Sequence, residues 1–213
     1  NSPYGTKYFA QYAEELDSSE TLQSIAQLAR ELNVYIIAGS IPTRATKNSN
    51  DDDHKYYNTS VVFDNEGKCI ATHHKVHLFD VNVPNRIVFQ ESAVLSAGHQ
   101  LTTFDMVIPH TTTNTTTTTT TTTDGDKKQR VVKVGLGICF DIRFPEMAQL
   151  YQRMGCELLV YPGAFNMTTG PAHWELLCRA RAVDNQVFVS VVSPARDTSA
   201  EYVAYGHSMT CSP

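Results

Sequence analysis

Short, almost uncharged apolar runs alternate along this chain with segments whose apolar residues recur at helical spacing. The strongest run, 131–138, is rich in Val and Gly and predicts a strand that is covered on both faces, because so apolar a run is typical of full burial. The run at 34–41 predicts a second strand of this kind. Alternating strands and helices indicate a mixed α/β (α+β) fold built in layers.

Two segments carry clear helix signals. Residues 20–32 place Leu and Ile at helical spacing after a serine that can cap a helix, and Asn33 offers a stop. Pro145 suits the first position of a second helix, because its missing N–H and fixed φ cost nothing there. This helix should end near Gly155, which tolerates a left-handed cap.

The remaining pattern predicts a hairpin, further strands and one long loop. Residues 57–63 and 69–74 flank Asp64-Asn65-Glu66-Gly67, a turn sequence typical of a β-hairpin. Other strands are expected at 101–108, 157–161 and 187–192, and a helix is expected at 171–184. Residues 80–100 predict a long loop, and such a loop inside a compact domain tends to be functional.

A low-complexity segment interrupts this pattern. Residues 111–123 are almost pure threonine, and an acidic, glycine- and lysine-containing stretch follows up to Lys128. Because the segment has no periodic apolar face, we expect 111–128 to be a surface insertion within a single domain that spans 1–213.

Composition limits the classes of partner. The chain has 213 residues, a formal net charge of −5 and a pI near 5.9. Its longest basic cluster is Lys127, Lys128 and Arg130, which argues against a nucleic-acid partner. No stretch has the apolar length that a bilayer requires, so no membrane partner is expected.

Cysteine usage bears on the cellular compartment. The five cysteines have no C-x-x-C spacing and favour a reducing compartment over a disulfide framework. We therefore expect a cytoplasmic protein. A mitochondrial location stays open, because the chain does not begin with methionine and a targeting peptide would not be visible.

Two polar clusters raise the question of a metal. Asp51, Asp52 and Asp53 are adjacent in a predicted solvated loop but lack calcium-loop spacing. The histidines at 73, 74 and 77 are close together, but no further ligand pair lies at structural-zinc spacing. We expect no metal and no cofactor.

Cys139 ends the strongest apolar run, where the strand turns towards a helix. Unpaired N–H groups at a helix start carry partial positive charge, which favours the thiolate and can bind an oxyanion. An inert, buried cysteine remains the alternative on these residues alone. Pairing with His207, as in papain-type proteases, is disfavoured because the local cysteine signatures of those proteases are absent.

Several long motifs occur in a characteristic order: HHKVHLF, FQES, GLGICFDIRFPE, LLVYPGAFN, GPAHWELLCRARAVDNQ and YGHS. On these motifs the chain resembles the nitrilase (carbon-nitrogen hydrolase) superfamily, and within it the omega-amidases. The resemblance covers almost the whole chain except the threonine segment. It implies a four-layer α-β-β-α sandwich, a homodimer and a Glu-Lys-Cys catalytic set that uses no metal or organic cofactor.

The resemblance also assigns roles to particular residues. It implies that Cys139 is the nucleophile, that Lys75 is the catalytic lysine, and that Glu91 keeps this lysine charged and aimed. Lys75 and the backbone N–H of Phe140 would hold the oxyanion. Without the resemblance, Lys75 would be read as a surface charge and Glu91 as an ordinary loop carboxylate.

Arg143 lies four residues after Cys139, at the helix entry, where it could hold the far carboxylate of a dicarboxylate substrate. The resemblance implies that Tyr4 and Thr169 help to hold the same carboxylate. A guanidinium can grip a carboxylate bidentately, although a salt bridge from Arg143 to Glu146 or Asp141 is an open alternative. Tyr4 and Thr169 could equally be loop residues satisfied by the backbone. The implied reaction hydrolyses the terminal amide of a short dicarboxylate monoamide, such as 2-oxoglutaramate or 2-oxosuccinamate, through a cysteine thioester.

Other functions are open as well, and the general base of the proposed reaction is not among the residues named so far. The alternatives are a carbamoylase or deaminated-glutathione amidase of the same superfamily, and a catalytically silent relative that acts as a binding protein. The general-base glutamate of the superfamily precedes a stretch like N-S-P-Y-G, with which this chain begins. We therefore expect that base upstream of Asn1, and expect residues 1–213 to be an inactive piece lacking both ends.

The threonine segment provides a first test. Deleting residues 111–123 from the full-length protein should change the melting temperature by less than about 2 °C, because a segment without an apolar face adds little to a core. Differential scanning fluorimetry and a turnover assay of the deletion beside the parent protein measure this. A large loss of either stability or turnover would show that the segment packs.

Overall fold

The computed structural model describes residues 8–45, 55–83, 87–108 and 129–213. Tyr4, the three adjacent aspartates at 51–53 and the segment 111–128 lie outside the described residues. The α-helices are α1 (Phe9–Tyr12), α2 (Glu20–Leu32), α3 (Pro145–Arg153) and α4 (Thr169–Asn185), and 3-10 helices span Glu91–Ala93 and Cys139–Arg143.

The strands are short and belong to three sheets. They are β1 (Glu14–Glu15), β2 (Ile36–Ile37), β3 (Ile41–Arg44), β4 (Tyr56–Phe63), β5 (Cys69–His74), β6 (Asp80–Val83), β7 (Ile87–Gln90), β8 (Thr102–Ile108), β9 (Arg130–Leu136), β10 (Leu158–Pro162), β11 (Phe188–Val192) and β12 (Met209–Cys211). In the first sheet, β4 runs antiparallel to β5 on one edge and to β2 and β3 on the other, and β1 lies beside β3. The second sheet has the order β12-β11-β10-β9-β8, and its three central strands are parallel. The strands β6 and β7 form a separate antiparallel pair.

Three apolar clusters separate the layers of the molecule. One joins α2 to the first sheet and contains Val61 and Phe63, and a second lies between the two sheets and contains Val62. Neighbouring residues of β4 thus point to opposite faces, as the period of a strand requires. The third and largest cluster packs α3 and α4 on the far face of the second sheet. This order of layers confirms the predicted α-β-β-α sandwich.

The strongest local signals in the sequence predicted their elements well. In α2, the Ser19 hydroxyl accepts the Leu22 N–H at 3.0 Å, and Asn33 ends the helix with φ 54°. In the predicted hairpin, Asp64 accepts the N–H groups of Glu66 and Lys68 at 3.0 and 2.8 Å. The helix that begins at Pro145 ends at Arg153, close to the predicted stop.

Two predictions of local structure were wrong. The run at 34–41 is not one buried strand, because Gly39 adopts φ 68° and separates β2 from β3, and both residues of β2 are only partly buried. The stretch at 80–100 is not one long loop, because β6 and β7 pair within it, with Val81 opposite Phe89. In the first case a left-handed glycine interrupted the apolar run. In the second case cross-strand pairing outweighed a composition typical of loops.

The end of β9 is held firmly by α3. The Tyr151 hydroxyl donates to the Leu136 carbonyl and accepts the Thr102 N–H at 3.1 Å. Gly135 allows this approach, since a Cβ there would lie 2.7 Å from the Tyr151 ring. None of the helices in the described ranges is long and apolar enough to cross a bilayer.

Candidate active site

Cys139 stands on a strained turn between β9 and the 3-10 helix that it begins. Its φ of 48° lies in the left-handed region, which non-glycine residues rarely adopt and which costs about 1–3 kcal/mol. Gly163, just after β10, passes directly beneath the turn, and a Cβ there would lie 2.8 Å from the Cα of Cys139. The turn therefore requires support from its surroundings.

Asp141 supplies much of that support. Its side chain is fully buried and accepts the Ile138 N–H at 2.8 Å, which closes the turn on itself. It also accepts the backbone N–H of His77 at 2.9 Å and lies 2.8 Å from Nδ1 of the same residue. The fully buried His73 approaches the carboxylate at 3.4 Å through Nε2. One carboxylate thus ties the Cys139 turn to the segment that follows β5.

The charge of Asp141 is stabilised by these contacts. Burial by itself would raise the pKa of the carboxyl group. Hydrogen bonds from His73, His77 and the N–H of Ile138 nevertheless hold the pKa of Asp141 well below its ordinary value. Asp141 is therefore a permanent buried anion at neutral pH.

Two of the three clustered histidines contact Asp141, and the third packs elsewhere. His73 and His77 contact Asp141, and the His77 ring is stacked on Phe144 at 3.6 Å. His74 instead stacks on Tyr57 at 4.4 Å and contacts the hydroxyl of Thr59. Among the residues that the structure describes, no group of three His, Cys, Asp or Glu side chains is arranged to hold a metal ion.

Lys75 and Glu91 form a buried ion pair. The Lys75 ammonium donates to Glu91 at 2.6 Å, and each side chain is only 3–4% exposed. Glu91 also accepts the N–H of Phe79 at 2.7 Å and the side-chain amide of Asn58 at 3.2 Å. Three donors thus fix the position of the Glu91 carboxylate, which in turn orients the Lys75 side chain.

The Cys139 thiol experiences opposing electrostatic effects. Burial raises its pKa above the ordinary value, while the charge of Lys75 and a hydrogen bond from the N–H of Ala164 act to lower it. The negative charges of Glu91 and Asp141 act in the same direction as burial, and the net pKa is raised. Burial therefore dominates the pKa of the thiol in this turn. That the N–H groups at the helix start favour the thiolate stays a prediction.

Arg143 lies beside Cys139 in a largely aromatic setting. Its guanidinium carbon is 4.9 Å from the Phe165 ring centre and 5.7 Å from that of Phe140, and Nη1 is 3.2 Å from Nδ1 of His173. Burial lowers the pKa of Arg143, and the Cys139 thiolate acts in the opposite direction, so the two groups lie within electrostatic reach.

The ion pairs that the sequence left open for Arg143 do not form. Within the described parts of the chain, its side chain pairs with no carboxylate, neither Glu146 nor Asp141. A partly buried guanidinium on two aromatic faces without an anion is suited to binding a carboxylate from outside.

The other residues that the sequence analysis considered differ in whether they are placed to act at the site. Phe140 is the second residue of the 3-10 helix, where the helix itself provides no acceptor for the backbone N–H. The Thr169 hydroxyl donates to Asn166 at 3.0 Å, so it is engaged locally at the start of α4. His207 contacts Arg196 at 3.0 Å and stacks on Tyr205, and it is not the partner of Cys139.

Two residues of α4 that the sequence analysis did not assign to the site contribute to it. Arg181 is buried and donates to the carbonyls of Ile142 and Arg143 at 2.9 and 3.1 Å, which holds the far end of the Cys139 turn. His173 contacts Arg143 from the first turns of the same helix. The sequence contains no motif that predicts either role. Only the position of the two residues on the inward side of the helix could have indicated them.

Comparison with known proteins agrees with this architecture. A family model described as carbon-nitrogen hydrolase matches residues 1–213. Omega-amidase NIT2 of Xenopus tropicalis is 51% identical, and that of Homo sapiens 49% identical, over 213 residues. These residues make up all of this chain and 66% of each relative, so the chain spans slightly less than two thirds of the length of the curated relatives it matches.

A solved structure is similar over the same extent. The crystal structure of Saccharomyces cerevisiae Nit3, a member of branch 10 of the nitrilase superfamily, has a TM-score of 0.76 and 38% sequence identity to this chain. It is matched over 100% of this chain and 66% of that one. The chain thus shares both sequence and fold with Nit3.

Replacement of the buried carboxylate tests the support of the Cys139 turn. Asp141→Asn should lower the free energy of unfolding at pH 7 by about 2–4 kcal/mol, because an amide cannot satisfy every donor that now faces the carboxylate. The lowered pKa of Asp141 stabilises the folded protein above pH about 4, and this stabilisation is lost as the pH falls. Urea unfolding of the parent protein and of Asp141→Asn should therefore show a difference in the free energy of unfolding that becomes smaller in acid.

The exposed Asp105 is a matched control for this variant. Its carboxylate is 58% exposed and lies 3.5 Å from the Lys133 ammonium. Asp105→Asn should change stability by less than about 0.5 kcal/mol. If the two variants lose the same free energy of unfolding, Asp141 has no special structural role.

Proposed function

Since the chain belongs to the carbon-nitrogen hydrolase family, we propose that the full-length protein hydrolyses an amide, with Cys139 as the nucleophile. The observation that carries the proposal is the buried Lys75–Glu91 ion pair, whose ammonium lies within electrostatic reach of the Cys139 thiol. A buried charge pair next to a strained cysteine is costly to maintain, and catalysis accounts for it.

The proposed first step forms a thioester. The Cys139 thiolate attacks the carbonyl carbon, and the oxyanion accepts hydrogen bonds from the Lys75 ammonium and the N–H of Phe140. Collapse of the tetrahedral intermediate breaks the C–N bond and releases ammonia, which takes the proton that the thiol gave up. A water molecule then attacks the thioester, releases the carboxylic acid and restores the thiol.

The raised pKa of Cys139 means that the thiol needs a base. Glu91 is poorly suited to this task, because its oxygens already accept from Lys75, Phe79 and Asn58. We assign the base to a second glutamate, in the part of the full-length protein that precedes Asn1. On this assignment, residues 1–213 alone would not turn over substrate.

The proposed substrate is a short dicarboxylate monoamide such as 2-oxosuccinamate. Arg143 would hold the far carboxylate, with Phe140 and Phe165 supporting the flat faces of the guanidinium and His173 fixing one of its nitrogens. Tyr4 would contribute a further contact to this carboxylate, and Thr169 would do so once its hydroxyl turns away from Asn166. The names of the relatives, which are omega-amidases, support this choice.

We further propose that the protein is a cytoplasmic homodimer. The helical layer formed by α3 and α4 exposes large apolar side chains that a second copy could cover: Leu150, Met154, Leu176 and Val183. All five cysteines are free thiols, as a reducing compartment would maintain them.

Cysteine replacement tests the nucleophile. In the full-length protein, Cys139→Ala should lower ammonia release from 2-oxosuccinamate by at least about a thousandfold, because no other group can form the thioester. Cys69→Ala, which removes an exposed thiol on β5, should stay within about twofold of the parent. Undiminished turnover by Cys139→Ala would overturn the proposal, and turnover by residues 1–213 alone would overturn only the upstream base.

Replacement of the guanidinium tests the substrate class. Arg143→Lys should raise KM for 2-oxosuccinamate by about tenfold or more and leave KM for a neutral amide of similar size nearly unchanged, since a lysine cannot bind a carboxylate bidentately. Arg179→Lys, an exposed change on α4, is the matched control. An unchanged ratio of the two KM values would remove Arg143 from substrate binding and favour a carbamoylase or another amidase of the superfamily.

A further inference from the structure

Two thiols that the proposed mechanism does not use lie close together on the face of the second sheet that the helices cover. Cys178 is fully buried on α4, and Cys211 is partly exposed on β12. Cys211 lies within electrostatic reach of the Cys178 thiol.

The register of the sheet explains why they meet. The Cys178 sulfur lies 3.4 Å from the Val189 carbonyl oxygen, and Val189 is the residue directly opposite Cys211 across β11 and β12. Both cysteines pack in the same apolar cluster. The helix thus brings its thiol to the strand pair at the position where Cys211 lies.

We propose that Cys178 and Cys211 form an oxidation site that closes to an intramolecular disulfide between α4 and β12 when the protein meets a hydroperoxide. The site is independent of the proposed amidase reaction. It requires only that the accessible thiol is oxidised first and that the buried one then resolves it.

The chemistry balances with hydrogen peroxide as the oxidant. The Cys211 thiolate attacks one peroxide oxygen, the O–O bond breaks, and a sulfenic acid forms, while the departing hydroxide takes up the proton that the Cys211 thiol lost and leaves as water. The Cys178 sulfur then attacks the Cys211 sulfur, the S–S bond forms, the S–O bond breaks, and the departing hydroxide takes the Cys178 proton as water. Two thiols and one peroxide thus become one disulfide and two waters.

The different environments of the two thiols determine which of them is oxidised first. Cys211 is the thiol that solvent can reach, while burial raises the pKa of Cys178 to about 12. Cys178 is therefore inert towards oxidants in water and reacts with a sulfur already held beside it. The second step should become faster as the pH rises, because loss of the Cys178 proton then precedes the attack more often.

The bond would brace the part of the molecule that supports the candidate site. It would enclose residues 178–211 and tie α4 to the edge strand of the second sheet. The same helix carries Arg181, which holds the Cys139 turn, and His173, which contacts Arg143. Closing a loop of this length restricts the unfolded chain and should raise the melting temperature by about 5 °C.

Peptide mapping of the full-length Cys139→Ala protein tests the proposal, since this background removes the reactive site thiol. After hydrogen peroxide treatment and alkylation, proteolysis without reductant should yield one cross-linked species that contains Cys178 and Cys211, about 2 Da lighter than the two thiol peptides together. The melting temperature should rise by about 5 °C. Reductant should remove the cross-link and reverse the rise in melting temperature.

Three additional variants make the result decisive. Cys211→Ala and Cys178→Ala should each abolish the cross-link and the rise in melting temperature, and Cys69→Ala should abolish neither. The proposal is overturned if Cys211 accumulates as an unresolved sulfenic or sulfinic acid, if it pairs with another cysteine, or if no cross-link forms when the exposed Cys69 is fully oxidised.

Discussion

The structure depends on a buried negative charge at Asp141. A carboxylate without solvent is tolerated only when donors surround it, and here the donors come from the Cys139 turn itself and from the segment after β5. Chain segments that are far apart in sequence are thereby held in one arrangement. Lys75 lies between His73 and His77 in the sequence, so the same carboxylate anchors the backbone on both sides of it, while Glu91 holds its ammonium.

The second constraint is the cost of the Cys139 turn. A left-handed cysteine is unfavourable by itself, and the close passage of Gly163 leaves no room for a side chain beneath it. Burial also makes the thiolate less favourable, and the Lys75 charge only partly offsets this. The site therefore stores unfavourable geometry and electrostatics that the rest of the fold must stabilise, and Arg181 contributes by holding the two carbonyls at the end of the turn.

The fold was predictable where local signals agreed with tertiary packing. The helix 20–32 had a capping serine, apolar residues at helical spacing and a stop, and all three signals act within a few residues. The pattern failed at 34–41 and 80–100, because a left-handed Gly39 and the pairing of β6 with β7 are decided by contacts that apolar periodicity does not report. Which face each sheet turns to its neighbour also depended on packing of the whole domain.

The amino-acid sequence by itself determined the class of fold and the identity of the reactive candidates, because the motifs around Cys139, Lys75 and Glu91 are long and local strand and helix signals place them at the ends of strands. Only the tertiary structure decided how these residues meet and what their charges do. It revealed Asp141 as the common anchor, placed His173 beside the Arg143 guanidinium, and showed that burial raises the pKa of the Cys139 thiol. Such properties depend on burial and on distances between segments remote in sequence, and no local pattern encodes them.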